Sequence, residues 1–449
     1  AGFGLRTAGA SLGWLSRPYI YEGPAWYQRD VVVPEVWRGK RLELLLERPH
    51  WETRVWVDGR DFGMQNSLAT AHVYDLGLGW KPGRHTITIR VDNTYKIDVG
   101  RNAHSVTDHT QTNWNGIVGR LELRATDSVW IERVDIAAAA GRATVHLRNA
   151  TGKPVQARVS AGGATAHVDI PGSQAEVGLS ISAAVIPQWD EYEGNLRELA
   201  VDLSAGPFRD RWQGRFGVRD IGTRERQFTL NGRPVFLRGT LECNIFPLTG
   251  YPPMQKEGWA RLFRIARSYG LNHFRFHSWC PPEAAFQAAD EAGFLLQVEL
   301  PVWSGAVGKD PVLTEFMRAE ARRIQDAYGN HPSFTMLCLG NELRGSFEVM
   351  DEMVAELKQR DPRRLYTFSS DYIRRRPGPT SDYYVASNTE AGPARIHGTR
   401  YSKTNDGTLH DHSAQSKLFS VPMIAHELGQ WVTLPDYAEI GKYQGVLKP

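Results

Sequence analysis

The chain has 449 residues, 41% of them apolar and 23% charged, with a formal net charge of +3. That length suits two or three domains with separate cores, and the composition is that of an ordinary globular protein. So small and scattered a charge gives no footing for nucleic acid or an anionic membrane, and no apolar stretch approaches the roughly 20 residues that span a bilayer.

The first ten residues, AGFGLRTAGA, lack the charged-then-apolar pattern of a signal peptide. Three cysteines, Cys243, Cys280 and Cys338, show no CxxC spacing and cannot all pair, so they read as buried free thiols. The densest basic run, Arg374–Arg376 before Pro-Gly-Pro, reads as a solvated loop. Aromatic content stands out, with 14 Trp and 16 Tyr; flat amphipathic rings fill cores and also hold sugar faces.

From residue 25 to about 126 the chain alternates apolar and polar residues in WYQRDVVVP, RLELLLE, TRVWVDGR, HTITIRVDN and GRLELRAT. Turn material such as Asp58-Gly59 separates them and no helical period intervenes, which predicts a β-sandwich over 1–127. A blander set of short strands, ATVHLRN, VQARVSA, TAHVDI and LRELAVDL, predicts an immunoglobulin-like spacer over 128–223.

The rhythm changes after the Asn231-Gly232 hairpin signal. In KEGWARLFRIARSYG, Trp259, Leu262, Phe263 and Ala266 share one helical face, and Gly270 follows as a stop. In VLTEFMRAEARRIQDAYG, Leu313, Phe316, Met317, Ile324 and Tyr328 do the same. Short apolar strands are expected at 235–241, 271–277, 294–300, 334–340, 365–369, 383–387 and 422–426. Seven β units alternating with helices predict a (β/α)8 barrel over 224–449, incomplete for want of an eighth strand. The chain is therefore expected to be the N-terminal part of a longer polypeptide. The fold class is multidomain β plus α/β.

Barrel chemistry sits at the C-terminal ends of the strands. Those ends carry Glu242, then Arg275, His277 and Trp279, then Glu299 and Trp303, then Asn341 and Glu342, then Asn388, then His426 and Glu427, with Trp431 just beyond. Two carboxylates at one mouth, Glu342 and Glu427, suit glycosidic hydrolysis: one donates a proton to the leaving oxygen and the other attacks the anomeric carbon. Arg275 is placed to keep the attacking carboxylate ionised, and Asn341 to hold the sugar 2-hydroxyl. Trp279 and Trp303 divide between stacking on the sugar and plain packing. Glu242 and Glu299 are read more as supports than as substrate contacts. The HDHS run at 410–413 invites a metal, but two histidines in a polar loop fit solvent or subsite lining better, and no metal or cofactor is expected.

Taken together these residues resemble glycoside hydrolase family 2, the β-galactosidase, β-glucuronidase and β-mannosidase group, from about residue 20 to the end. TNWNGIVGRLEL (112–123) is similar to a segment of that family's jelly-roll domain, LNGRPVFLRG (230–239) to its barrel entry, and GNE (340–342) to its acid/base motif. The resemblance implies an N-terminal jelly roll, Glu342 as acid/base, Asn341 as 2-hydroxyl ligand and Glu427 as nucleophile. There are departures. RFHSWCPP keeps Arg275 but displaces the strand-2 histidine to His277, AHELGQW departs from the usual surroundings of the nucleophile, and Thr110, Gln111 and Thr112 stand where several members carry an acid. The implied activity is a retaining, exo-acting β-glycosidase, favoured as a β-galactosidase in the broad sense. Its alternatives are β-glucuronidase or another family 2 specificity, a non-catalytic carbohydrate-binding relative, or an endo-acting cellulase-like barrel. Carbohydrate is the expected partner, self-association is left open, and a periplasmic or secreted setting follows from that function.

Overall fold

In the computed structural model, the described residues are 5–6, 19–107, 110, 113–181, 187–370, 379–386, 417, 419–427, 436–442 and 444. In the first β region a four-stranded antiparallel sheet orders Pro24–Val33, Gly83–Asp92, Glu52–Val57 and Arg60–Gln65. It faces a three-stranded sheet of His72–Gly77, Arg41–His50 and Gly116–Thr126. Every second residue of Glu52–Val57 is buried, as the alternation in the sequence requires, and Leu42, Leu44, Leu46, Val55, Val57, Ile87, Ile89 and Val91 fill the space between the sheets. Asp58 and Gly59 both hold positive φ (50° and 80°) in the two-residue hairpin turn between Glu52–Val57 and Arg60–Gln65.

A second pair of antiparallel sheets follows. Three strands (Val129–Ala137, Arg142–Asn149, Gln174–Ser180) lie against four (Ala164–Ile170, Val155–Ala161, Arg197–Ala205, Phe208–Phe216), around a core of small aliphatics such as Val145, Val159 and Val201. A three-stranded meander at Ile221–Arg224, Gln227–Leu230 and Arg233–Val235 then leads onward, and its tight turn is Asn231-Gly232.

Seven parallel strands come next among the described residues: β1 (Gly239–Glu242), β2 (His273–Phe276), β3 (Leu295–Glu299), β4 (Phe334–Cys338), β5 (Leu365–Thr367), β6 (Tyr384–Ala386) and β7 (Met423–Ala425). Strands β1–β5 form one sheet, and the bridge Ser370↔Val385 carries the order on to the β6–β7 pair. Helices α1 (Lys256–Ser268), α2 (Glu283–Ala292), α3 (Pro311–Tyr328) and α4 (Phe347–Arg360) alternate with the strands. The periodic faces are the buried ones: Trp259 and Phe263 of α1, and Leu313, Phe316, Met317, Ile324 and Tyr328 of α3, join the largest core. Helix α3 starts where Asp310 accepts hydrogen bonds from the backbone N–H of Val312 and Leu313, with Pro311 in the first turn.

The seven expected strands are thus present, with one shift: the apolar run 235–241 divides, Val235 ending the meander and β1 starting only at Gly239. Between β1 and β7 lies a cleft of about 790 Å³, lined by Leu241, His273, Arg275, Gln297, His426 and Glu427 among others.

The first sandwich is fused to the barrel through shared core. Trp51, Leu68, Ala69, Val99, Ala103 and Val106 pack in the same apolar cluster as the barrel helices. Buried Glu320 of α3 accepts from Leu68 N–H, Ala69 N–H and Ser67 Oγ at 2.7–3.0 Å, and Arg48 donates to the carbonyl of Cys280 at 2.8 Å. The loop 97–106 is seated so closely that a Cβ on Gly100 would lie 1.9 Å from the carbonyl oxygen of Trp303.

Candidate active site

Strand β4 is buried along its whole length and ends in Gly340-Asn341-Glu342. Gly340 has φ +143°, and a Cβ there would meet the Val302 carbonyl oxygen at 2.4 Å, so only glycine fits. The chain is then clamped from both sides. Asn341 N–H donates to Val302 O (3.0 Å), Ser370 N–H to Gly340 O (3.0 Å) and Glu342 N–H to Ser370 O (2.6 Å). Glu342 itself holds a left-handed φ of 47°, a strained conformation that the clamp imposes and that turns the chain at this point.

Arg275, at the end of β2, organises the floor. Its Nε donates to Glu299 Oε1 (2.6 Å) and its Nη2 to Asn341 Oδ1 (2.5 Å), while Nη1 lies 4.0 Å from Glu427 Oε1. Burial pushes the Glu299 carboxyl up, but the Arg275 charge, His277 and the hydrogen bonds from Arg275 and Ser370 outweigh it and hold it below the usual range. Glu299 also accepts from Ser278 N–H (2.6 Å) and Gln297 Nε2 (3.3 Å), so the charge of this fully buried carboxylate is met by hydrogen bonds and its ion pair. His426 Nε2 lies 3.0 Å from the same Asn341 Oδ1. With its oxygen taken by Arg275 and His426, Asn341 keeps a buried Nδ2 that has no partner among the described residues.

Glu427 stands at the end of β7 with its side chain 15% exposed. His277 Nε2 approaches its Oε1 to 3.3 Å and His426 Nε2 to 3.5 Å. The other face of the His277 imidazole meets His104 from the first sandwich, Nδ1 to Nδ1 at 3.1 Å, and the half-buried Trp303 ring, at 5.1 Å between centroids. Glu242 lies at the end of β1, where burial pushes its carboxyl up to about 8 against hydrogen bonds from the backbone of Asn244 and Ile245. Burial thus favours the neutral form of Glu242.

Of the residues singled out in the sequence, Arg275, His277, Glu299, Asn341, His426 and Glu427 form one contiguous network; Glu342 stands beside it on the β4 turn, and Glu242 and Trp303 flank it. Trp279 is a correction. Its ring is 1% exposed, packed on Phe276 and Trp259 with its Nε1–H donated to Glu242 O (3.0 Å), so it offers no face to a sugar. A strand-end position does not tell whether the side chain turns into the mouth or back under α1. Asn388, Trp431 and the HDHS run lie outside the described residues. His104, Ser278 and Ser370 were missed: each sits in a loop with no local pattern, and only the fold brings them to the mouth.

Residues 221–429 match the family described as glycosyl hydrolases family 2, TIM barrel domain. Human β-glucuronidase is 23% identical over 439 residues, covering 83% of this chain and 63% of that protein. A putative β-glucuronidase of Formosa agariphila is 25% identical, covering 71% of this chain and 40% of that protein. An Arthrobacter β-galactosidase is also 25% identical, at 77% and 34%. The chain thus spans between 34% and 63% of the length of these relatives. Among solved structures, a family 2 β-galacturonidase from Eisenbergiella tayi bound to galacturonate superposes with a TM-score of 0.67 at 18% identity, covering 78% of this chain and 64% of that one. Through its barrel and these matches, the chain is similar to glycoside hydrolase family 2, whose TIM barrel domain its residues 221–429 match.

Proposed function

We propose that the chain carries the catalytic centre of a retaining, exo-acting β-glycosidase. Glu427 attacks the anomeric carbon, and Glu342 gives its proton to the departing oxygen. Glu342 then takes a proton from the water that opens the glycosyl-enzyme, so both glutamates return to their starting state. Arg275 and His277 favour the ionised form of Glu427. Asn341 donates its Nδ2–H to the sugar 2-hydroxyl, a contact that tightens as positive charge develops on the ring.

The observation that carries this reading is the Asn341 amide: its oxygen is held by Arg275 and His426, and its buried Nδ2–H is left to donate. Leaving a buried donor unpaired costs about 1–3 kcal/mol, and a substrate hydroxyl would return it. The broad-sense β-galactoside remains a candidate glycone, and β-glucuronide stands level with it because relatives of both names match.

The test is hydrolysis of aryl β-galactoside, glucuronide, mannoside, glucoside and glucosaminide by the full-length protein and by Glu427→Ala. Cleavage of one glycoside, lost in the variant, is expected. Activity unchanged in the variant removes Glu427 from the mechanism. Folded wild type inert on the whole panel favours the non-catalytic carbohydrate-binding alternative.

A further inference from the structure

Where the loop 97–106 of the first sandwich meets the barrel, His104, His277 and Cys243 converge, with one potential ligand atom from each lying within 4.8 Å of the others. The three come from distant parts of the chain: a sandwich loop, the end of β2 and the residue after β1. His104 and His277 approach through Nδ1 atoms 3.1 Å apart. Two ligand nitrogens about 2.0–2.1 Å from a tetrahedral zinc ion would stand roughly 3.3 Å from one another. The observed spacing is therefore already close to that of a bound pair.

A second observation concerns the far side of the ring. His277 Nε2 lies 3.3 Å from Glu427 Oε1, so this edge of the ring faces a carboxylate, while Nδ1 faces His104 Nδ1 at 3.1 Å and Ser278 Oγ at 3.3 Å. Carboxylate, imidazole and metal in line is the usual second contact of a metal-bound histidine, setting its tautomer and basicity. His104 is fixed independently: its backbone N–H and its ring Nδ1 both lie 3.1 Å from Ser278 Oγ. Ser278 holds φ 50° and is fully buried, so its hydroxyl has little freedom to move.

We propose that His104, His277 and Cys243 bind a thiophilic transition-metal ion, zinc first among them, at the seam between the first sandwich and the barrel. Two imidazoles and a sulfur select zinc or copper(I) over magnesium or calcium, which take oxygen ligands. Three protein ligands leave a tetrahedral ion one open position. The sulfur is held as a thiol by burial, and its proton must leave as the ion enters. This revises the expectation, drawn from the sequence, that the chain holds no metal.

The site does not depend on the glycosidase reading, and its test reads binding directly. Full-length protein stripped with a chelator is titrated with zinc chloride by calorimetry, then with cobalt(II) chloride under an absorption spectrometer. One zinc per chain and a thiolate-to-cobalt charge-transfer band in the near ultraviolet are expected from wild type. Cys243→Ser, nearly the same size, is expected to lose the band. His104→Asn is expected to weaken zinc by more than the roughly 10- to 100-fold lost when a partner outside the ligand set is removed. Wild-type protein that binds zinc no more tightly than Cys243→Ser, or that binds cobalt without a thiolate band, overturns the proposal and leaves a plain His104–His277 hydrogen bond. The cobalt spectrum of wild type needs no variant, so a misfolded variant cannot obscure the answer.

Discussion

Glu342 leaves a strand hydrogen-bonded on both sides, whereas Glu427 leaves β7, which among the described residues pairs only with β6. The five residues of β4 are all buried; the three of β7 are all half-buried. Backbone holds the first glutamate, through Gly340 pressed on Val302 and the Ser370 clamp. Side chains hold the second, through Arg275, His277 and His426, two of them lent by β2. A carboxylate on a weakly paired strand can still be placed if a neighbouring buried ion pair reaches across to it. Arg275 makes that reach, touching Asn341 on the β4 side while facing Glu427 on the other.

The largest effect should come from the side-chain-held glutamate. Glu427→Ala is expected to lower kcat by about 10,000-fold or more, roughly 5.5 kcal/mol of barrel-mouth chemistry. External azide should restore turnover to give a glycosyl azide of inverted configuration, a product that proton and carbon NMR identify. A variant that keeps wild-type kcat ends the assignment.

Next comes the anchor common to both sides. Glu299→Gln removes the nearer of the two carboxylates facing the buried Arg275 guanidinium, leaving Glu427 at 4.0 Å, and should cost about 3 kcal/mol in chemical denaturation. The wild-type carboxyl titrates below its usual range, so the stability it contributes is complete above the unfolded-state pKa. It is lost as pH falls through the lower folded-state value. Wild type should therefore lose its margin over Glu299→Gln on the acid side, and a margin that instead widened with acid would contradict the ion-pair account.

Gly340→Ala tests the backbone-held side. A methyl group 2.4 Å from the Val302 carbonyl must displace the turn, at about 1–3 kcal/mol of overpacking. If the displacement moves Glu342, activity should fall far more on substrates with poor leaving groups, which need the proton, than on dinitrophenyl glycosides, which do not. His277→Ala, acting on Glu427, should slow both kinds alike. Equal losses for the two substrates in Gly340→Ala would mean that the two glutamates are not held separately.

Much of this arrangement was legible in the chain because local patterns carry it. Alternation exposed the sandwich strands, a 3.6-residue period exposed α1 and α3, and apolar runs ending in acids exposed β4 and β7. The Asn231-Gly232 turn was legible for the same reason, and its presence split the apolar run 235–241 between a meander and β1. His104 was not legible, because nothing near it in the chain marks a loop that will dock on another domain. For Trp279 the strand-end position leaves stacking and packing open, and only the fold shows its ring against Phe276 in the aromatic cluster.

The two tryptophans give the smallest and last contrast. Trp279, with its indole N–H donated to Glu242 O and its ring against Phe276 and Trp259, should behave as core: Trp279→Phe is expected to cost stability while leaving KM unchanged. Trp303 is half-buried beside His277, its backbone N–H held by Val99 O at 2.7 Å, so its ring is positioned by the sandwich loop as well as by β3. Trp303→Ala should raise KM about tenfold, near 1.4 kcal/mol, with a smaller change in kcat, since a ring that packs on a sugar face binds ground and transition states alike. The reverse pattern, KM moved by Trp279→Phe and not by Trp303→Ala, would place the sugar on the α1 side of the mouth and away from His104.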